Sequence, residues 1–256
     1  VEIGTIAYRS YQQQQAQQKQ SQAAQSSSQP KLNEKYSHSQ LDRLQLPQLT
    51  SDFSKGESKV TIETTEGTIT AKIFNKYAPL AAQNFLTHAK EGYYNNTEFF
   101  RVVKDFMIQG GDPENSGQGG QSIWASDAHR DKKIDPGTGF KNEIDPHLYF
   151  IRGAIGMANA GPGTNGSQFF IEQSSSDVRE QISNKSSYPT KIYQAYKNGG
   201  TPSLDGNYTV FGQVVSGMDV VDKIASAAVK NNPNAENEKS LPEAPVKITK
   251  ITIQNN

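Results

Sequence analysis

FFRVVKDFMIQGGD, residues 99–112, sets a guanidinium (Arg101) and a carboxamide (Gln109) inside an apolar run that stops on two glycines and an acid. On strand periodicity Phe99, Arg101 and Val103 share one face. Beyond the Lys104-Asp105 interruption, Met107 and Gln109 can share another, with a bend or bulge between. An ordinary strand with a surface arginine and an edge glutamine would account for this stretch alone. The arrangement recurs, however, with Asn159 inside MANA (157–160) and with Gln168 just ahead of Phe169 and Phe170. Several donors beside apolar side chains describe a groove that grips a peptide backbone while accepting a nonpolar ring.

Working outward, VTIETTEGTITAKIF (60–74) alternates apolar and polar residues about Glu66-Gly67, which predicts an antiparallel hairpin with one buried face. PLAAQNFLTHAKEGYY (79–94) reads as a helix, opened by Pro79, striped by Ala82, Phe85, Leu86 and Ala89, and ended by Gly92. Residues 97–109 return to strand character, and GGDPENSGQGGQS (110–122) must be loop. MANA and SQFFI suggest short strands around GPGTNG, and TVFGQVV suggests another. GMDVVDKIASAAV (217–229) has helical spacing, and VKITKITI (246–253) closes the chain as a strand. Many short strands with two principal helices predict a mainly-β fold, a closed antiparallel barrel that removes its own sheet edges.

Three segments differ in composition. Residues 12–29, QQQQAQQKQSQAAQSSSQ, hold ten glutamines and four serines and no large aliphatic residue. Such a tract buries too little to offset chain ordering, so residues 1–35 are expected to be a Gln/Ser-rich arm or tether. Residues 36–58 contain Leu41, Leu44, Leu46, Leu49 and Phe53, an irregular strap on the domain or an exposed docking segment. The compact domain is expected over 59–256, as a single unit in a chain of 256 residues.

Lys plus Arg equals 26 and Asp plus Glu equals 26, so the basic excess that phosphate neutralisation favours is missing and nucleic acid is not an expected partner. Cysteine is absent, which excludes disulfides, thiolate catalysis and Cys-based zinc sites from this sequence. No apolar run approaches the roughly 20 residues that span a bilayer. A signal peptide or lipid-bearing cysteine would lie upstream of Val1, and the chain is expected to be a processed or trimmed product. The four histidines (38, 88, 129 and 147) lack ligand spacing, and Asp127, His129 and Asp131 lie in what reads as a solvated loop. No phosphate-gripping loop, nucleophile elbow or marked carboxylate pair is found, so no metal or cofactor is expected.

FFRVVKDFMIQGGD, GQGGQSIW, FKNEI, GAIGMANAGPGTNGSQFFI and SLDGNYTVFGQVVSGMDVVDKI, in this order, resemble the cyclophilin-type peptidyl-prolyl cis-trans isomerases over roughly residues 60–253. The resemblance implies a closed eight-stranded barrel filled by side chains and capped by two helices, with the groove outside it. Carried onto this chain, it implies Arg101 as the catalytic guanidinium, with Gln109 and Asn159 hydrogen-bonding the substrate backbone. Phe106, Met107, Phe170 and Leu204 would form the proline pocket, Ala158, Gln168 and Tyr208 would line the groove, and Phe169 would pack behind it. Proline-containing peptides and unfolded exported proteins are the implied partners, and the chain is expected to be a monomer.

Three departures stand out. Ser203 occupies the place of a family tryptophan and predicts weak cyclosporin binding, Tyr208 stands for a histidine, and Phe100 replaces a histidine ahead of Arg101. Between FFI and SLDG lie about 30 residues that predict a helical insertion near 174–202, with Ile192, Ala195 and Tyr196 on one stripe and Gly199-Gly200 ending it. The insertion reads equally as a surface excursion or as a wall restricting substrates. The closest resemblance is to exported, lipid-anchored foldases of Gram-positive bacteria, which implies an extracytoplasmic, membrane-anchored location.

Overall fold

The computed structural model describes residues 31–254; the Gln/Ser-rich tract at 12–29 lies outside them. The hairpin about Glu66-Gly67 is built from β1 (Glu57–Thr64) and β2 (Gly67–Phe74), with Ile62 opposite Ile69 and Val60 opposite Ala71. All four of these side chains are fully buried, as the alternation requires. There follow α2 (Pro79–Lys90), β3 (Arg101–Val103), β4 (Met107–Gly110), β5 (Ala154–Met157) and β6 (Phe169–Glu172). The chain then forms α3 (Thr190–Ala195), β7 (Val210–Ser216), α4 (Met218–Ala225), β8 (Val229–Asn232), β9 (Glu238–Pro242) and β10 (Ile248–Gln254). A short α1 (His38–Asp42) precedes them, capped by Ser37 and Gln40.

Eight strands form one antiparallel sheet in the order β10-β1-β2-β7-β5-β6-β4-β3. The expected closed barrel is not what forms: the sheet is an open, strongly curled half-barrel whose edges are β10 and β3. The cause is local. β3 is only three residues long, and residues 96–99 ahead of it reach Ile248, the first residue of β10, and the two residues before it through the single bridge Glu98–Lys247 and a few neighbouring bonds, with Asn96 in the left-handed region at φ 64°. A residue in that conformation interrupts an extended ladder.

The interior of the curl is filled, with Phe85 from α2 packing against Phe169 edge-on at 5.4 Å and against Phe211 at 5.3 Å. The start of α2 is held from a distance, because the Glu143 carboxylate accepts from the N–H groups of Leu80 (3.0 Å) and Ala81 (2.8 Å), two donors that a helix leaves unpaired.

Two further elements differ from expectation. The helix predicted over 217–229 stops at Ala225, and Val229 begins β8, which pairs with β9 in a separate two-stranded sheet that sequence periodicity did not suggest. MANA is also not a strand: β5 ends at Met157, and Asn159 lies in the following loop.

The strap and the insertion meet. Tyr149, Ile151, Val178, Tyr188, Ile192 and Tyr196 form a second buried cluster onto which Leu32 and Leu46 pack. Asp42 accepts from the Thr190 backbone N–H (2.7 Å), and Asn33 donates to Tyr149 Oη (2.9 Å). Gln48 donates to Tyr149 O (2.7 Å) and accepts from its N–H (2.8 Å). Lys72, fully buried on β2, donates to Pro47 O (3.1 Å) and pairs with Glu57 (3.4 Å), pinning the strap to the sheet. Gly199 and Gly200, both at φ 117°, end the insertion; a Cβ at Gly200 would fall 2.3 Å from Phe150 O, so the backbone can pass only without side chains.

Candidate active site

Strand register places the polar residues of the opening stretch. Arg101 on β3 lies opposite Gln109 on β4, and Gln109 lies opposite Phe170 on β6. Directly opposed residues project from the same face, so the guanidinium, the carboxamide and the ring form one row on the outside of the curl. Met107, two residues before Gln109, joins that face.

All ten residues expected at the site line one groove of about 320 Å³: Arg101, Phe106, Met107, Gln109, Ala158, Asn159, Gln168, Phe170, Leu204 and Tyr208. Its apolar floor is Met107 and Phe170, 2% and 6% exposed. Phe170 stacks on buried Phe150 at 5.5 Å and 11° and meets Tyr208 edge-on at 6.5 Å. Phe169 points the other way, fully buried against Phe85, Tyr94 and Phe99.

Hydrogen bonds run along the polar wall. Arg101 Nη1 donates weakly to Gln109 Oε1 (3.4 Å), Gln109 Nε2 to Gln168 Oε1 (3.0 Å), and Gln168 Nε2 to Gly119 O (2.9 Å). The loop carrying Gly119 is wound around the buried Asp112 carboxylate, which accepts from the N–H groups of Glu114, Ser116, Gly117 and Gly119 at 2.8–3.1 Å. The Asn159 carboxamide holds its own loop, donating to Asn142 Oδ1 (3.2 Å) and Asn165 Oδ1 (2.9 Å) and accepting from Gly161 N–H (3.1 Å).

Ser203 is exposed and borders a neighbouring cleft instead of the groove. Residues 174–202 contribute nothing to the groove lining. Two tyrosines of the insertion, Tyr188 and Tyr196, donate to the inward-turned carboxylate of Asp205, next to Leu204. Burial raises Asp205 to about 7, and burial, aided by the Asp205 charge, raises Glu172 to about 8 despite the Thr201 hydroxyl bond.

Sequence reasoning missed the contribution of the β8–β9 hairpin. Asn232, Asn234 and Ala235 line the groove beside Phe100, and Glu238 grips Arg101, accepting from Nε (2.9 Å) and Nη2 (3.1 Å). Burial works to raise the Glu238 carboxyl, but the hydrogen bonds and charge of Arg101 outweigh it and hold the group below the usual range. The turn-rich NNPNAEN between Lys230 and Glu238 was the available signal.

Comparison with known proteins follows the same residues. The family model for cyclophilin type peptidyl-prolyl cis-trans isomerase/CLD matches residues 59–253. The chain belongs to the cyclophilin-type peptidyl-prolyl cis-trans isomerase family. Proteins named as peptidyl-prolyl cis-trans isomerases in Staphylococcus aureus (strain USA300) and Staphylococcus saprophyticus are each 42% identical to it, over 72% of this chain and 88% of theirs. A crystal structure of a Cryptosporidium parvum cyclophilin-type isomerase superposes with a TM-score of 0.58 at 30% identity, covering 78% of this chain and 99% of that one. A second crystal structure of that protein, determined in the presence of the dipeptide Ala-Pro, gives 0.57, again at 30% identity.

Proposed function

We propose that this cyclophilin accelerates cis–trans rotation about X-Pro bonds in its outer groove, with Arg101 as the electrophilic donor. The observation that carries this reading is the register row of Arg101, Gln109 and Phe170, which sets a guanidinium fork beside an apolar floor.

Rotation about X-Pro is slow because it destroys amide resonance, while the two planar isomers differ by only about 0.5–1 kcal/mol. In the twisted state the proline nitrogen regains a lone pair. A donor aimed at that nitrogen stabilises the twisted state over both planar ones, so both directions accelerate and the equilibrium is unchanged. Arg101 suits this role because its guanidinium stays protonated and its donors lie in one plane. Phe106, Met107, Phe170 and Leu204 hold the ring, and Gln109, Gln168, Ala158 and Asn159 flank the extended backbone. No bond is made to the protein, so the residues named suffice without a nucleophile.

Exchange-detected NMR of a short Ala-Pro peptide, with catalytic amounts of the intact chain and of Arg101→Ala, tests the reading. Fast exchange with the first and near-background exchange with the second is the expected result. Binding without acceleration by either protein would make the groove a recognition module.

Unfolded exported proteins as substrates, and a membrane-anchored extracytoplasmic location, form the finer part of the proposal. Their support is the Gln/Ser-rich segment ahead of the domain and the resemblance to exported foldases. Fractionation of cells producing the full-length protein checks it: recovery with cytosolic markers rejects the placement.

A further inference from the structure

We propose that Glu238, delivered by the β8–β9 hairpin, is a positioning residue for Arg101, fixing which edge of the guanidinium faces the substrate. The inference rests on the isomerase reading of the groove.

Arg101 sits on the three-residue edge strand β3, whose one ladder partner among the described residues is β4. An arginine on such an edge carries several free torsions, and immobilising them costs conformational entropy. Gln109 supplies only a long contact of 3.4 Å. The strong restraint is Glu238, whose two oxygens accept from Nε at 2.9 Å and Nη2 at 3.1 Å, a fork-to-fork pair that fixes the plane as well as the position of the group. The Nε–Nη2 edge is thereby occupied, and the opposite side, at Nη1, is directed along the Gln109 wall.

The hairpin that supplies Glu238 is itself fastened to the same strand. Asn232, 3% exposed, donates to Phe100 O (3.0 Å), the carbonyl immediately before Arg101, and to Ser240 Oγ (3.2 Å), which is fully buried. One bond therefore fixes the backbone entering Arg101 while the carboxylate fixes its side chain. Asn234 and Ala235, at the turn of this hairpin, border the groove beside them.

Two effects of the carboxylate oppose each other, and this makes the inference testable. Glu238 orients the guanidinium, but its charge also weakens the field that Arg101 applies to the twisted amide. A group acting only through charge would slow the enzyme, so its removal would speed catalysis. A group that positions is required for it, because small misplacements of a catalytic donor cost large factors in rate.

The experiment measures kcat and KM separately, by NMR exchange over a range of Ala-Pro peptide concentrations, for the intact chain, Glu238→Ala, Glu238→Gln, Arg101→Ala and the double variant. Glu238→Ala should lower kcat about tenfold or more while KM moves less than about threefold. Glu238→Gln, which keeps one acceptor, should recover part of that loss. In the Arg101→Ala background Glu238→Ala should change nothing further, since the residue it serves is gone. Glu236→Gln, on the exposed turn of the same hairpin, should match the intact chain. The inference is overturned if Glu238→Ala is as fast as or faster than the intact chain, or if it loses equally in both backgrounds, which would mark general damage to the hairpin. Should Glu238→Ala prove unfolded by its amide spectrum, Glu238→Gln decides: a partial fall in kcat at constant KM supports positioning, and an unchanged kcat rejects it. Absence of acceleration by the intact chain would instead refute the isomerase reading on which this one stands.

Discussion

Gly156→Ala tests whether Phe170 is the floor of the proline pocket. Gly156 lies in the middle of β5, opposite Phe170 on β6 and Val210 on β7. A Cβ added there would stand 2.5 Å from Phe150 Cε1, 2.9 Å from Phe150 Cζ and 2.9 Å from Phe170 Cζ. Carbon atoms prefer about 3.5–4.0 Å, so something must move by about 1 Å. Phe150 is fully buried, so its displacement would disturb the packed interior. Phe170 borders the groove, and its outward displacement is the cheaper relief. Overpacking of this kind costs about 1–3 kcal/mol of stability. The displaced ring would also intrude on the pocket, and a loss of about 1.4 kcal/mol in ring binding is a tenfold rise in KM. Arg101 lies two strands from Phe170, so kcat should fall less than KM rises. Urea denaturation and exchange NMR read the two effects. Stability within about 0.5 kcal/mol of the parent together with an unchanged KM would refute the assignment of Phe170 as the floor.

Arg101→Lys should lose about 10²–10³ in kcat, the usual cost of removing a positioned transition-state donor, because a single ammonium would be drawn to Glu238 and away from the groove; a variant retaining half the rate would contradict the fork argument. Cyclosporin should bind the intact chain no more tightly than about 1 μM, or −8.2 kcal/mol, since Ser203 offers the groove no aromatic rim, and calorimetry finding a nanomolar complex would overturn that. The stability contributed by Glu172 and Asp205 should fall as pH rises from about 4 to 8: raised to about 8 and about 7 by burial, the two groups hold protons that the unfolded chain releases near 4.5 and 3.8. Their contribution is full below those unfolded values and is lost through 7–8, so Glu172→Gln should flatten the slope of melting temperature against pH, and an unchanged slope would exclude Glu172 as its source.

What could be read from the chain was what depends on short range. The Glu66-Gly67 hairpin follows from alternation over fifteen residues, and a polar groove at Arg101, Gln109 and Gln168 follows from polar residues placed where strand faces should be apolar, whereas the single row of Arg101, Gln109 and Phe170 is set by the strand register. What escaped depends on partners far apart. Asn33 with Ser187 and Asp42 with Thr190 bind the strap and the residues just ahead of it to the insertion across more than a hundred residues, and neither segment has an amphipathic period strong enough to announce a shared core. The open edge at β3 escaped for a different reason: whether strands close a barrel is decided by a few residues such as Asn96 at φ 64°, and not by the count of strands.

The β8–β9 hairpin joins these points. Its residues, VKNN and EKSLP, lack the apolar alternation that marks a strand, because their main task is polar: Asn232 and Glu238 satisfy a carbonyl and a guanidinium on the uncovered edge of the sheet. An edge strand carrying a catalytic side chain would otherwise present unpaired backbone groups and a loosely held arginine to solvent. In this fold the open edge and the polar hairpin are therefore one feature. Among the described residues β3 has one ladder, and residues 229–242 supply side-chain bonds to its catalytic arginine and to the carbonyl just before it.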